Sequence, residues 1–292
     1  MQDRCGGMDA DKTIWLVTNQ ASGSNSDDAI AGLEAMCAAQ AVPIAGRSAF
    51  PADGLPSPAD LAAAGAGVVM VYAGDGTINA VISHYAGWSG AVLVMRGGTM
   101  NLLYHRLHGE LEMDQVLACV ARGEARRVRP GVVRSAHGQA LAGLMAGPGT
   151  SWCDVREALR EGAVVDLAAS TVKALEQTLA GATIACRQPA LGDPAGYPLL
   201  MLTPQDDGIV VEAYHSESAG EYVAQGWALL KRDFRQGPHD DLGLVQRLRL
   251  GSSDGKPFGL LIDGEPKETG PETEVSLASC GVDLLATVAH GR

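Results

Sequence analysis

Aromatic residues are scarce in this chain of 292 residues, at 4% of the total, and long apolar runs, paired cysteines and net positive charge are missing altogether. So few aromatics leave little on which bases could stack, which argues against a single-stranded nucleic-acid binder. Lysine and arginine number 22 against 34 acidic residues, for a net charge of −12, so a general polyanion binder is excluded as well. No apolar run approaches about 18 residues, so no membrane-spanning helix is expected. Met1–Gly7 contains no apolar signal-peptide core, and Asp9 and Asp11 argue against a transit peptide. The six cysteines, Cys5, Cys37, Cys119, Cys153, Cys186 and Cys280, show neither C-x-x-C pairs nor Cys/His ligand spacing. They read as buried or incidental thiols in a reducing compartment. The histidines lack metal-ligand spacing, and neither Ser22 nor Ser24 lies in a G-x-S-x-G elbow, which rejects an acyl hydrolase. The expected setting is the cytoplasm, with contact at a membrane surface and no transmembrane segment.

What is present is globular: 46% apolar residues, 19% charged and 37 glycines, in a length that suits one large domain or two modest ones. The first half alternates strand and helix. Thr13–Asn19, Val42–Ala45, Val68–Tyr72 and Ala91–Met95 have strand length and composition. Helices are expected from about Ser24 to Ala41, over Asp60–Ala64, Ile78–Tyr85, Met100–Leu107 and Met113–Arg122. Such alternation predicts a parallel sheet with crossover helices. Beyond Arg129-Pro130-Gly131 the pattern becomes antiparallel β. Strand-like runs recur at Ala140–Ala146, Thr183–Arg187, Leu199–Leu202, Ile209–Tyr214, Leu244–Leu250, Phe258–Ile262 and Val282–Ala289. Turn signals such as Asp207-Gly208 and Asp263-Gly264 separate many of them. Helices are expected at Ser151–Glu161, Asp166–Leu179 and Glu221–Leu230. The domains are therefore placed at 1–129, α/β and nucleotide-binding, and 130–292, β-rich, with the final residues able to pack back on the first.

Two glycine turns carry most of the functional information. Gly74-Asp75-Gly76-Thr77 follows the strand Val68–Tyr72, and Gly97-Gly98-Thr99 follows Ala91–Met95; their threonines are 22 residues apart. In an open parallel sheet the carboxyl ends of the strands are the ligand-binding edge. Glycines let a phosphate approach the backbone amides, and a helix start adds N–H groups and a positive dipole end. There is no Walker loop and no fitting G-x-G-x-x-G, so backbone amides would have to bind the phosphate. Asp75 makes sense there if it holds Mg²⁺, directly or through water.

Tyr72-Ala73-Gly74-Asp75-Gly76-Thr77-Ile78-Asn79 resembles the G-G-D-G-T segment of the diacylglycerol kinase-type lipid kinases, relatives of the sphingosine and ceramide kinases. Gly97-Gly98-Thr99-Met100-Asn101 resembles the family's G-T-x-N-D turn, and Asn19-Gln20-Ala21-Ser22-Gly23 its N-P-x-S-G segment. Asp207-Gly208-Ile209 resembles its D-G-x-L strand entry and Asp263-Gly264-Glu265-Pro266 its late D-G-E-P turn. The five matches keep the family's order from Asn19 to Pro266.

The resemblance implies an N-terminal α/β domain of the NAD kinase/diacylglycerol kinase kind and a C-terminal antiparallel β-sandwich, with ATP and lipid meeting in a cleft between them. It implies that Asn19, Ser22, Gly23, Gly74, Gly76, Thr77 and Thr99 line ATP, with Ser48 a weaker candidate. Asp75 would stand at the phosphate–Mg²⁺ end, and Glu265 would be the general base on the lipid hydroxyl. Pro204, Asp207 and Ile209 match a segment that binds a structural Mg²⁺.

Two departures stand out. Leu102 and Arg129 occupy positions where the family has aspartates that help organise the active-site metal, and Arg129 is expected to take over part of that charge at the phosphates. Arg122, Arg126, Arg127, Arg129 and Arg134, against Glu124, form a local basic stretch that could meet anionic headgroups. The reading is an ATP- and Mg²⁺-dependent kinase acting on a hydroxyl of diacylglycerol, ceramide or a sphingoid base. The alternatives are a soluble-substrate kinase of the NAD-kinase type and a non-catalytic lipid- or nucleotide-binding homologue.

Overall fold

The computed structural model describes residues 13–19, 26–98, 101–147, 183–215 and 239–288. The helices expected at 151–161, 166–179 and 221–230 lie outside them. By its internal contacts the chain divides into two units, 1–130 together with 280–292, and 131–279.

The first unit begins with β1 (Ile14–Thr18), α1 (Asp27–Ala39), β2 (Ile44–Ala49), α2 (Pro58–Ala63), β3 (Val68–Ala73) and α3 (Asp75–His84). It continues through β4 (Ala91–Arg96), α4 (Leu102–His108), α5 (Met113–Arg122) and β5 (Arg126–Val128), and closes with β18 (Asp283–Ala286). The sheet order is β2-β1-β3-β4-β18-β5, with β5 antiparallel to β18 and the other pairs parallel. Every residue of β3 is buried, as is all of β4 except Arg96. Burial on both faces explains why these two strands read as unbroken apolar runs. Each fully buried Val, Leu or Met stabilises the fold by roughly 1.5–3 kcal/mol.

Local chemistry sets the helix starts. Ser26 Oγ accepts from the Ala29 amide at 3.2 Å, with Asp27 and Asp28 in the first turn of α1. Ser57 and Asp60 form a reciprocal capping box on α2, with Pro58 in its first turn. Helix α5 stops at Gly123, whose φ of +69° costs glycine nothing.

The second unit is antiparallel throughout its named strands. One sheet has the order β10 (Ala190–Leu191), β9 (Ile184–Gln188), β14 (Arg247–Ser252), β17 (Glu272–Ser279), β6 (Gly131–Ser135), β7 (Gly138–Ala140). The other runs β13 (His239–Val245), β12 (Ile209–Tyr214), β11 (Leu199–Pro204), β8 (Leu144–Gly147), β15 (Phe258–Ile262), β16 (Glu265–Thr269). One apolar core joins the two sheets: Val133, Ile184, Leu248, Leu250 and Val275 come from the first, and Leu144, Leu200, Val211, Phe258 and Leu260 from the second.

Several expected strands differ from those observed. The second strand starts at Ile44 instead of Val42, because the Val42 amide is bound to the Cys37 carbonyl at the end of α1 and Ala41 stands at φ +55°. The run Ala140–Ala146 is two strands in different sheets, broken at 141–143. Leu244–Leu250 is likewise split: the chain changes sheet at Gln246, whose side chain donates to the Asp207 carbonyl and whose own carbonyl accepts from the Leu277 amide. The final run joins the parallel sheet of the first unit, between β4 and β5.

Candidate active site

The site begins with register. Strands β3 and β4 are aligned from Val68↔Ala91 to Ala73↔Arg96, so they end level and the chain leaves both at one edge. Gly74 then caps α3, which makes Asp75, Gly76 and Thr77 its first three residues. The second turn lies against the first, backbone to backbone. A β-carbon on Gly97 would stand 2.4 Å from the Ala73 nitrogen, and one on Gly98 2.7 Å from Gly74 Cα. Glycine is required at both positions for close approach.

Side chains lock this edge. Asn19, just after β1, donates from Nδ2 to Thr77 Oγ1 at 2.8 Å. Asn101 stands at φ +51°, a left-handed conformation that asparagine tolerates. Its Oδ1 accepts from the Gly98 amide at 3.0 Å and its Nδ2 donates to the Gly98 carbonyl at 2.8 Å, closing the turn on itself. The structure thus brings Asn19, Gly74, Asp75, Gly76 and Thr77 to one edge, together with Gly97 and Gly98. Ser22, Gly23 and Thr99 lie outside the described residues. Ser48 sits within β2, and its buried Oγ accepts from the Trp15 indole at 3.0 Å.

The first-turn amides of a helix have no carbonyl within the helix to donate to, and they attract anions. A carboxylate at that end, such as Asp75, is itself favoured by about 0.3–1 kcal/mol. Asp75 Oδ1 is shielded from solvent. No trio of His, Cys, Asp or Glu side chains that could hold a metal forms among the described residues. A magnesium ion carried on nucleotide phosphates keeps several waters and needs only one or two protein carboxylates. The turn therefore fits such an ion through Asp75.

Leu102, half-buried, is the first residue of α4. Two residues to which the sequence reading assigned no role lie at this edge. Asn101 was legible as an asparagine in a glycine turn. Arg96 ends β4, lies 5.0 Å from the Tyr104 ring centroid and is ion-paired with Glu112; no periodicity signals it.

Arg129 does not reach the edge that carries the glycine turns. Its Nε donates to Asp283 Oδ1 at 2.6 Å, and Asp283 is aligned with Ala91, the first residue of β4. Arg127 donates to the Ser89 carbonyl at 2.8 Å, just before the same strand. The pair therefore lies at the amino-terminal end of β4, about 17–20 Å of strand from the glycine turns. The expectation that Arg129 neutralises charge at the phosphates is overturned, because the returning strand β18 supplies its partner. The basic stretch is diluted as well: Arg122 pairs with its near neighbour Glu124 at 2.7 Å, and Arg127 shares Asp283 at 3.4 Å.

The second unit holds the remaining candidates. Ile262 and Glu265 flank a two-residue hairpin turn in which Asp263 has φ +47° and Gly264 φ +85°. Both positive angles mark the turn type that matches strand twist. Half-buried Glu265 is the first residue of β16, at the sheet edge. Pro204 and Ile209 face each other across the β11–β12 hairpin, with Asp207 exposed in the loop between them. The Gln205 amide donates to the Gly208 carbonyl at 2.8 Å and closes that loop. One carboxylate with backbone carbonyls is compatible with magnesium, which completes its shell with water.

A parallel sheet whose adjacent strand ends open into two interlocked glycine turns defines a class: α/β domains that bind phosphorylated ligands at the carboxyl edge. Residues 13–133 match the diacylglycerol kinase catalytic domain, the domain of the lipid kinase family whose motifs the sequence resembles. Three solved structures, all of proteins assigned as diacylglycerol kinases in Bacillus anthracis str. Sterne, share the fold. One has a TM-score of 0.61 at 14% identity, covering 96% of this chain and 99% of its own. The second has 0.59 at 14%, covering 94% and 97%. The third has 0.62 at 12%, covering 95% and 99%. At such identities the likeness concerns fold. No protein of curated function matches the chain significantly in sequence. No helix among the described residues is long and apolar enough to cross a membrane.

Proposed function

We propose that the protein is an ATP- and magnesium-dependent lipid kinase that phosphorylates a hydroxyl of diacylglycerol, ceramide or a sphingoid base. The observation that carries this reading is the pair of glycine turns packed backbone to backbone, with Asp75 in the first helical turn, inside a diacylglycerol kinase catalytic domain. In this reading the α3 amides and the Gly97–Gly98 backbone cradle the nucleotide phosphates, and Asn19 holds Thr77 in place. Asp75 holds the phosphate-borne magnesium, which when bound spreads the charge of the transferred group. Glu265 accepts the proton of the lipid hydroxyl. Pro204, Asp207 and Ile209 hold a second, structural magnesium.

The test is transfer of γ-phosphate from labelled ATP to dioctanoylglycerol, a short-chain ceramide or sphingosine. Asp75→Asn should abolish turnover with the circular dichroism spectrum unchanged, because an amide is a poor magnesium ligand. A near-normal kcat in that variant would remove Asp75 from the mechanism. For the structural site, magnesium should raise Tm in the wild type and no longer in Asp207→Asn; equal responses would discard the site. Leu102, standing where the family has an acid, favours a second reading, a nucleotide- or lipid-binding homologue without turnover. ATP binding without transfer to any of the three acceptors would establish it.

A further inference from the structure

Asp263 is a carboxylate only 5% exposed. Three consecutive backbone amides converge on it. Leu141 N–H donates to Oδ2 at 2.7 Å, and Ala142 and Gly143 N–H donate to Oδ1 at 2.8 and 3.1 Å. The Asp263 amide donates in return to the Gly143 carbonyl at 3.1 Å. Successive amides of this kind form an anion-binding nest, and here the anion is the protein's own. The 141–143 segment links β7 to β8, where the chain passes from one sheet to the other. Four hydrogen bonds therefore rivet the turn before Glu265 to the connector between the sheets. The rivet acts at a residue with φ +47°, in the left-handed region that aspartate tolerates but does not by itself enforce.

We propose that Asp263 is a positioning residue for Glu265: by binding the amides of 141–143 it holds the hairpin turn in its left-handed form and fixes the direction in which the Glu265 carboxylate leaves β16. The proposal rests on the reading of Glu265 as the acceptor-side base. A hairpin turn of two residues allows little slack. If Asp263 swings out of the left-handed region, the register Ile262↔Glu265 is lost and the first side chain of β16 is displaced with it. A misplacement of about 1 Å in a reacting group can cost ~10²-fold in rate. An asparagine keeps the shape of Asp263, yet it turns one acceptor into a donor facing amide donors.

The experiment is a double-mutant cycle with dioctanoylglycerol and labelled ATP. Glu265→Gln should lower kcat by at least ~10²-fold. Asp263→Asn should lower kcat by ~10- to 100-fold with the KM for ATP within about twofold of wild type. In the Glu265→Gln background, Asp263→Asn should cost nothing more, because its effect passes through Glu265. A merely structural aspartate would lower activity equally in both backgrounds, and that additive result overturns the proposal. So does full kcat in Asp263→Asn while Glu265→Gln is inactive. Full kcat in Glu265→Gln removes the base reading itself, and this proposal with it. Should Asp263→Asn fail to fold, Gly264→Ala decides: it leaves the carboxylate and its three amides in place and strains a turn residue at φ +85°. The same non-additive loss is expected there, and a folded Gly264→Ala protein with wild-type kcat overturns the proposal.

Discussion

A β-carbon on Gly98 would meet Gly74 Cα at 2.7 Å, and backbone cannot move aside as the tip of a flexible side chain can. Gly98→Ala should therefore push the two turns apart while the sheet beneath them stays folded. The expected outcome is an ATP Kd raised at least ~10-fold, about 1.4 kcal/mol, with a near-wild-type far-ultraviolet spectrum. Calorimetric titration with ATP–magnesium checks it, and an unchanged Kd would show that the close approach is unrelated to nucleotide binding. The glycines were legible in the sequence as a spacing. Their reason for being glycine was not, because the atoms that exclude a β-carbon belong to the neighbouring strand's turn. Cysteine offers a simpler case at the same scale: Cys37 and Cys186 are buried, and burial pushes both thiols up to about 11, far from a nucleophile's range.

Helix α4 shows how an element inherits a pH dependence. His108 is fully buried; its Nδ1 lies 3.0 Å from Thr287 Oγ1 and its ring 4.9 Å from that of Tyr104. Burial, opposed by the Val94 carbonyl, pulls its pKa down from 6.5 to about 4. The folded state therefore stays neutral at this site while the unfolded chain takes up a proton below its ordinary value. The stabilisation is complete above about pH 6.5 and is lost as pH falls towards 4, by up to roughly 3 kcal/mol. Urea midpoints should fall between pH 7 and pH 5 in the wild type and fall less in His108→Gln. Identical slopes would show that His108 is protonated without cost. The sequence displayed this histidine at the end of a helical run, but only the pairing of 287 with 108 made it an interior residue.

At the scale of the molecule, the chain order of the first unit is not its sheet order. Strand β18, from the far end of the described chain, lies between β4 and β5, with Leu284, Leu285 and Ala286 buried. The span that matches the diacylglycerol kinase catalytic domain, 13–133, lacks this strand. A chain ending at residue 133 would leave the inner edge of β4 unpaired and β5 without its neighbour, an open apolar edge of the kind that aggregates. It should show no cooperative unfolding transition, and joining residues 280–288 to it through a flexible linker should restore one. A cooperative transition at the wild-type midpoint in the short chain would refute this. The strand also decides the electrostatics, since Asp283 arrives with it and takes both Arg127 and Arg129.

By itself the sequence determined whatever depends on neighbours along the chain. The β-branched runs Val68–Tyr72 and Ala91–Met95 could be little other than buried strands, and glycine turns opening into helices marked their carboxyl ends as the candidate ligand edge. The antiparallel character of the second half followed from alternation and turn residues. Tertiary structure alone decided what depends on contacts between distant residues: the insertion of β18, the sheet switches at 141–143 and Gln246, the interlock of Gly98 with Gly74, and the rivet of Asp263 onto three amides some 120 positions earlier. Local propensity acts over a few residues, whereas a hydrogen bond or an excluded β-carbon between distant segments leaves no periodic trace in either one.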